Sequence, residues 1–407
     1  MISEIFRLSL RNILRHKLRT AMTLAAIVMG VAGLIISGGF VQDIFKQLGE
    51  AIIHSQTGHI QIAKTQFFGS GSRRPHEFLI ENPQPLQQSI RTLPQVESAM
   101  GRLKFAALIN NGRTDFAVVG EGVEPDAEAK LGSFVDFIAG RALTGKDSNG
   151  IVVGEGVAQA LQLAPGDSIT LLSQTPEGAM NTLDFDLIGV FRSFSKDYDA
   201  RTVRIPLGAA QELISTPGVN VIVVALKDTQ DTLSSAQQIE RLIEGKGLDA
   251  RRWDELSDFY HKTVELYGRQ FGVLQLIVLV MVLLSVSNTV NMTVFERQGE
   301  FGTMRAIGNG KKRVFSLVVV ETTLLGLIGS LIGVCVGVGL ALFISSIGIP
   351  MPPPPNSNVP YTALIQVSPH VTATAALVGV MAAAIASIFP AWRITRMPIV
   401  DALRHNI

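Results

Sequence analysis

Three stretches of this chain contain no Asp, Glu, Lys or Arg: residues 20–42, 270–295 and 322–392, which are 23, 26 and 71 residues long. A bilayer core takes about 20 consecutive apolar residues per helix. The first two runs therefore predict one crossing each, and the third has room for two crossings and a connection. Buried helices of a soluble core are the competing reading, but three charge-free runs of this length are foreign to soluble proteins. The expected fold class is an α-helical membrane protein with four transmembrane helices. A large mixed α/β extracytoplasmic domain is expected between the first helix and the second.

Charge partition gives the orientation. Residues 1–19, 296–313 and 393–407 are short flanks holding 5, 5 and 3 Lys/Arg, against four acidic residues, Glu4, Glu296, Glu300 and Asp401. The long connection, 43–269, holds 22 basic and 29 acidic residues, and segment 346–370 holds no Lys or Arg. Short basic flanks stay in the cytoplasm, so both termini and segment 296–313 are expected there, with the long connection on the other side. The first apolar run is too long for a cleaved signal peptide and lacks a small-x-small exit, so it reads as an uncleaved anchor. The single cysteine, Cys335, falls in the third span. The outer domain must therefore be held by its own core, which its 227 residues allow.

The chain thus reads as an amphipathic cytoplasmic segment (1–19), spans at 20–42, 270–295, 314–345 and 371–392, an outer domain with helical stalks (43–269), a cytoplasmic connector helix (296–313), a proline-rich outer loop (346–370) and a cytoplasmic tail (393–407). Residues 41–56 keep helical spacing and extend the first span outward; residues 254–271 lead helically into the second. Alternating or continuous apolar runs between turn residues predict strands at 58–63, 115–119, 150–153, 168–172, 183–190 and 219–226. Helices are expected at 85–93 and at 229–244, the latter with Ile239, Leu242 and Ile243 on one side. Residues 349–355, IPMPPPP, read as a stiff polyproline-like spacer.

In the third span Gly326, Gly329, Gly333 and Gly337 make a small-residue stripe, the pattern that lets helix backbones approach closely in lipid. The pattern leaves the partner helix open. Glu321 is the one formal charge within the membrane segments. It reads either as a carboxylate facing the bundle, tying the third span to the connector, or as an interfacial group reaching the headgroups.

Chemistry of the chain's own is hard to find. Residues 140–147, GRALTGKD, have the GxxxxGK spacing of a phosphate loop. Asp147, however, occupies the position where a Ser/Thr hydroxyl would meet magnesium, and its charge would repel phosphate. His54 and His59 are five apart, which is not same-face helical spacing, and neither Cys nor HExxH accompanies them. No catalytic residue, metal site or cofactor is expected in this chain, and no nucleic-acid partner; membrane lipids are. The connector is different. Glu296, Glu300 and Thr303 recur at helical spacing, while Phe301, Met304 and Ile307 form an apolar cluster for membrane helices or a partner's groove. Gly308 and Gly310 end the helix, and Lys311, Lys312 and Arg313 pin its exit at the lipid surface.

These residues carry a resemblance. Glu296-Arg297, Glu300, Gly302 and Arg305-Ala306-Ile307-Gly308 resemble the ER-x-x-E-x-G-x-x-R-A-[IL]-G signature of the FtsX/MacB-type ABC transporter permeases, a family that includes the lipoprotein-releasing permeases. Residues 390–404, PAWRITRMPIVDALR, resemble that family's closing motif. Gly140-Arg141 with residues 150–167 is similar to its outer-domain G-R and G-D run. The resemblance covers essentially the whole chain and implies the following. The permease has no ATPase; ATP and magnesium sit on a separate cytoplasmic subunit present in two copies, beside a second permease copy or homologue. Glu296, Arg297, Glu300, Gly302, Arg305, Ala306 and Gly308 couple to that ATPase. Motion passes through the stalks to an outer domain in the periplasm. Three functions stay open. The favoured one is extraction of a lipidated or amphiphilic substrate from the inner membrane for a periplasmic carrier. The others are efflux through an adaptor and duct, and activation of a cell-wall hydrolase.

Overall fold

The computed structural model describes residues 17–69, 74–131, 134–353, 357, 360–399 and 402. Most of the amphipathic segment 1–19, the end of the tail 393–407 and part of the proline run lie outside the described residues. The chain forms two units. A helical unit takes residues up to Phe45, Thr263–Pro350 and the residues from Thr362 on; an α/β unit takes Lys46–Lys262 and Met351–Tyr361.

The helical unit is built on α1 (Lys17–Ile52), α2 (Asp258–Glu296), α3 (Gln298–Ala306), α4 (Lys311–Ile347) and α5 (Pro369–Arg396). Four of these, all but α3, are long and apolar enough to cross a membrane. Each extends past the span expected from the sequence at both ends. The buried face joins Ile27, Val31 and Ile35 of α1 to Val286, Val290 and Val294 of α2, with Leu317 and Val318 of α4 and several alanines of α5.

The glycine stripe of α4 acquires its partners here. Gly329, Gly333 and Gly337 lie against Ile27, Val31 and Ala32 of α1, and Gly326 lies against Ala383 of α5. At Gly333 an added Cβ would sit 2.9 Å from the Val31 Cβ, so this approach needs a residue without a side chain. By contrast, α2 leaves Leu276, Met281 and Leu284 exposed at 58%, 65% and 63%.

Two sequence expectations change. The connector is not one helix across 296–308. Glu296 closes α2, Arg297 leaves helical geometry at φ −96° and ψ 15°, and α3 starts at Gln298. The Arg297 side chain at this break is buried. The polyproline spacer is also shorter than expected: Ile349–Met351 pairs with Tyr361–Ala363 as a two-stranded sheet, since backbone pairing satisfies polar groups that an extended spacer leaves to water.

The α/β unit contains β1 (Ile60–Lys64), β2 (Val96–Asn110), β3 (Asp115–Val123), β4 (Asp136–Gly140), β5 (Gly150–Gly154), β6 (Ser168–Gln174), β7 (Met180–Arg192), β8 (Thr202–Pro206), β9 (Val221–Leu226) and β10 (Leu248–Arg252). They run in the order β10-β1-β9-β2-β3-β8-β5-β7-β4, with β6 across β2 and β7. The 15-residue β2 joins the two halves: Val96 to Arg102 pair with β9, and Leu103 to Asn110 pair with β3. Each half has its own core. One packs Ile60, Ile62 and the wholly buried β9 on Ile90, Ile239 and Ile243 of two helices. The other packs β2, β3 and β5 to β8 on Glu155–Leu161 and Leu207–Ile214.

At the start of β1 the His59 side chain is 1% exposed. The Leu226 amide donates to its Nδ1 at 3.1 Å, so the proton sits on Nε2, which lies 3.1 Å from the Thr229 hydroxyl. Burial, with His54 beside it, lowers its pKa to about 4. The folded state therefore binds fewer protons at this site than the unfolded chain, and stability falls as pH drops from about 6.5 toward 4, by about 3 kcal/mol. His54, raised by its hydrogen bond to Glu50, acts in a different window: its contribution is gained as pH falls to about 6.5 and is essentially constant below. Hydrogen exchange of β9 across that pH range is expected to show the loss, and His59→Asn, which keeps an acceptor for Leu226, is expected to flatten the slope.

Candidate functional site

The break between α2 and α3 is fixed by one side chain. Arg297 is 6% exposed. Its Nη1 donates to both carboxylate oxygens of Glu321 on α4, each at 3.0 Å, and its Nε donates to Glu300 at 2.9 Å. Its guanidinium lies 5.0 Å from the ring centre of Phe301, itself 1% exposed. Burial alone would lower the Arg297 pKa, but the carboxylates of Glu321 and Glu300 outweigh it and raise it. Glu321 therefore faces this arginine within the helical unit. Such a charge-assisted double contact fixes direction as well as distance. Arg305 donates to the Met397 carbonyl beyond α5, so α3 is held at both ends.

Between these anchors α3 has two faces. Gln298, Gly299, Phe301 and Gly302 are buried, and Met304 is half-buried against the helical core. Glu300, Thr303 and Ala306 are exposed, as is Glu296 at the end of α2. Ile307, expected to join Phe301 and Met304, instead stands 79% exposed at the helix end, because the helix closes at Ala306 and Ile307 caps it. Gly308 follows at φ +98°, a left-handed conformation that favours glycine. The exposed surface is thus a short acidic face ending in an apolar residue, on a helix fixed from behind.

A second group of charges lies in the α/β unit and was not visible as a cluster in the sequence. Arg102 of β2 is 0% exposed and donates to Glu128 at 2.7 and 2.9 Å and to the Gln56 carbonyl. Arg204 of β8 stands directly across from Glu121 of β3 in the parallel pair, 3.3 Å from its carboxylate, and donates to the Ser55 carbonyl at 2.8 Å. Ser55 and Gln56 belong to the π-helical turn Ile53–Thr57 that ends α1. Two buried guanidinium groups therefore hold the carbonyl end of that helix, where the helix dipole favours cations. Burial would raise the Glu121 carboxyl, but Arg102, Arg204 and Lys104 prevail and hold it at about 2.

The segment with phosphate-loop spacing is a latched turn. β4 ends at Gly140, and the chain goes on to β5 with no helix in between, whereas a phosphate loop opens a helix. Arg141 donates twice to Asp147 at 2.7 Å, and the Thr144 amide donates to it at 2.9 Å. Among the described residues no group of three or more His, Cys, Asp and Glu side chains is placed to hold a metal.

Residues 20–242 match the MacB-like periplasmic core domain family, and residues 272–399 match the FtsX-like permease C-terminal family. The lipoprotein-releasing system transmembrane protein LolE of Haemophilus influenzae is 24% identical, over 78% of this chain and 76% of that protein. An uncharacterized ABC transporter permease of Methanocaldococcus jannaschii is 22% identical, over 85% of this chain and 86% of that one. The macrolide export ATP-binding/permease protein MacB of Campylobacter jejuni serotype O:23/36 is 23% identical, over 82% of this chain but only 53% of its own length.

Proposed function

This chain belongs to the FtsX-like ABC transporter permeases that carry a MacB-like periplasmic core domain, and from that premise we propose that it uses ATP hydrolysed on a separate subunit to extract a lipidated or amphiphilic substrate, a lipoprotein or lipid, from the inner membrane. The observation that carries this is α3: it is locked from behind through Arg297 to Glu321, its outer face presents Glu300 and Thr303, and Glu296 at the end of α2 and Ile307 at the C-cap flank that face, both exposed. A helix fixed on one side and exposed on the other transmits a push without folding around it. In this reading α3 is the coupling helix, seated in a groove of a cytoplasmic ATPase, with Gly302, Arg305, Ala306 and Gly308 shaping its packing and end. Four helices span the membrane, both termini are cytoplasmic, and the α/β unit lies in the periplasm. The exposed apolar side of α2 meets lipid and a second permease, copy or homologue, and two ATPase copies complete the assembly.

Motion then reaches the α/β unit through α1 and α2. Substrate is handled at the outer leaflet and passed to a periplasmic carrier. This fits a helical unit whose four expected spans hold one formal charge, Glu321. The favoured cargo follows the likeness to LolE; efflux follows the likeness to MacB. Depleting the chain is expected to leave newly acylated proteins in the inner membrane of spheroplasts supplied with a soluble carrier fraction. Unchanged release with loss of macrolide resistance would assign efflux instead, and a cell-separation defect alone would assign hydrolase regulation.

A further inference from the structure

The apolar pattern of α2 is interrupted near its end by Asn288 and Asn291. Amides on a membrane helix are unfavourable unless a polar group meets them. Both line a cavity of about 250 Å³, together with Gln298 at the start of α3 and Arg393 in the last turn of α5; Met292 and Phe295 supply an apolar side. Gln298 is 7% exposed, and its Oε1 has no hydrogen-bond partner among the described residues. Arg393 makes no ion pair among them. Three amides, one of them buried with an unused oxygen, and one free cation thus converge on a space that is otherwise apolar. Buried polar atoms in native proteins are normally met by something.

We propose that this cavity binds the phosphate-bearing headgroup of a phospholipid of the cytoplasmic leaflet. The Arg393 guanidinium meets the phosphate charge, as guanidinium groups do with phosphate oxygens. The amides of Asn288, Asn291 and Gln298 offer both donors and acceptors to the phosphate oxygens and to the hydroxyl or amine beyond them. The acyl chains follow the exposed side of α2, where Met281 and Leu284 stand 65% and 63% exposed. Free phosphate offers the same charge but leaves the apolar side of the cavity unused. The proposal rests on the reading that α2 and α5 span the bilayer with these ends in the cytoplasm. In that setting a bound lipid would fix the junction of α2 and α3, next to Arg297.

The test uses the full chain, purified in detergent and stripped of lipid. It is then given phosphatidylethanolamine or phosphatidylglycerol in mixed micelles, or inorganic phosphate alone. Native mass spectrometry counts bound phospholipid, and melting temperature reports protection. The wild-type chain is expected to retain one phospholipid per chain more than the Asn291→Leu/Arg393→Leu variant, which binds at least tenfold more weakly. Asn288→Leu, at an exposed site where folding is least at risk, is expected to weaken retention in the same direction. Equal lipid counts in all three proteins overturn the proposal, as does protection by inorganic phosphate equal to that by lipid. Loss of permease pairing with an unchanged lipid count assigns the cavity to the second permease and also overturns it. Alkaline carbonate extraction of membranes separates the two levels: release of the wild-type chain overturns the spanning reading, whereas a retained chain with equal lipid counts overturns the headgroup site alone.

Discussion

Replacing Arg102 with alanine is expected to cost the α/β unit roughly 3–5 kcal/mol, the range measured when one member of a buried ion pair is removed. The side chain is 0% exposed, holds Glu128 through two hydrogen bonds and shares Glu121 with Arg204. Its loss leaves Glu128 beside a cavity, with the Arg204 guanidinium still 3.4 Å away, and frees the Gln56 carbonyl at the end of α1. Domains are stable by only about 5–15 kcal/mol, so this is a large share. Denaturant unfolding of the detergent-solubilised chain reads the loss. Hydrogen exchange locates it, with the largest change expected in the π turn Ile53–Thr57 and in β2 and β3. Removing Glu128 as well is expected to recover part of the cost, because the second deletion removes a buried carboxylate that has lost its two-bond partner. A loss below about 1 kcal/mol would mean that the cluster is not what ties α1 to the sheet.

Reversing one charge on α3 is expected to have the largest functional effect. Glu300 is exposed at its outer edge yet accepts a hydrogen bond from Arg297. Glu300→Lys turns the acidic face basic and sets a like charge beside the guanidinium that fixes the α2–α3 break. Coupled ATP hydrolysis is expected to fall tenfold or more, with the chain still in the membrane fraction. Glu300→Gln, which keeps an acceptor without the charge, is expected to fall in between. Hydrolysis that responds to substrate normally in Glu300→Lys would remove α3 from the coupling role.

The four long apolar helices and the α/β unit between the first two were legible in the sequence because hydrophobic patterning is additive over many residues. The same property accounts for the strands at β1, β3, β5, β6, β7 and β9. β2 was not legible: Gly101, Arg102 and Lys104 break its alternation, since this strand changes partners midway and buries an arginine at the change. The Arg102–Glu128 and Arg204–Glu121 pairs depend on long-range register, which no local pattern reports. On α3 the residue types were readable but the break at Arg297 was not, because it depends on a carboxylate 24 positions later, on another helix. Glu321, by contrast, stood out by being alone, and its isolation in an apolar run is what made a partner worth expecting. The exposure of Ile307 was missed because spacing placed it with Phe301 and Met304, and only the closing of the helix at Ala306 separates them.

In the proposed assembly this chain supplies the coupling helix and membrane path while another subunit supplies the ATP chemistry. Purification in mild detergent tests it most directly, with the co-purifying subunits identified and counted by mass spectrometry, for the wild-type chain and for Glu300→Lys. The wild-type preparation is expected to hold one nucleotide-binding subunit per permease and to hydrolyse ATP only in its presence, and the variant is expected to lose that subunit. A chain that hydrolyses ATP unaided, or an ATPase retained equally by both proteins, would contradict that assembly.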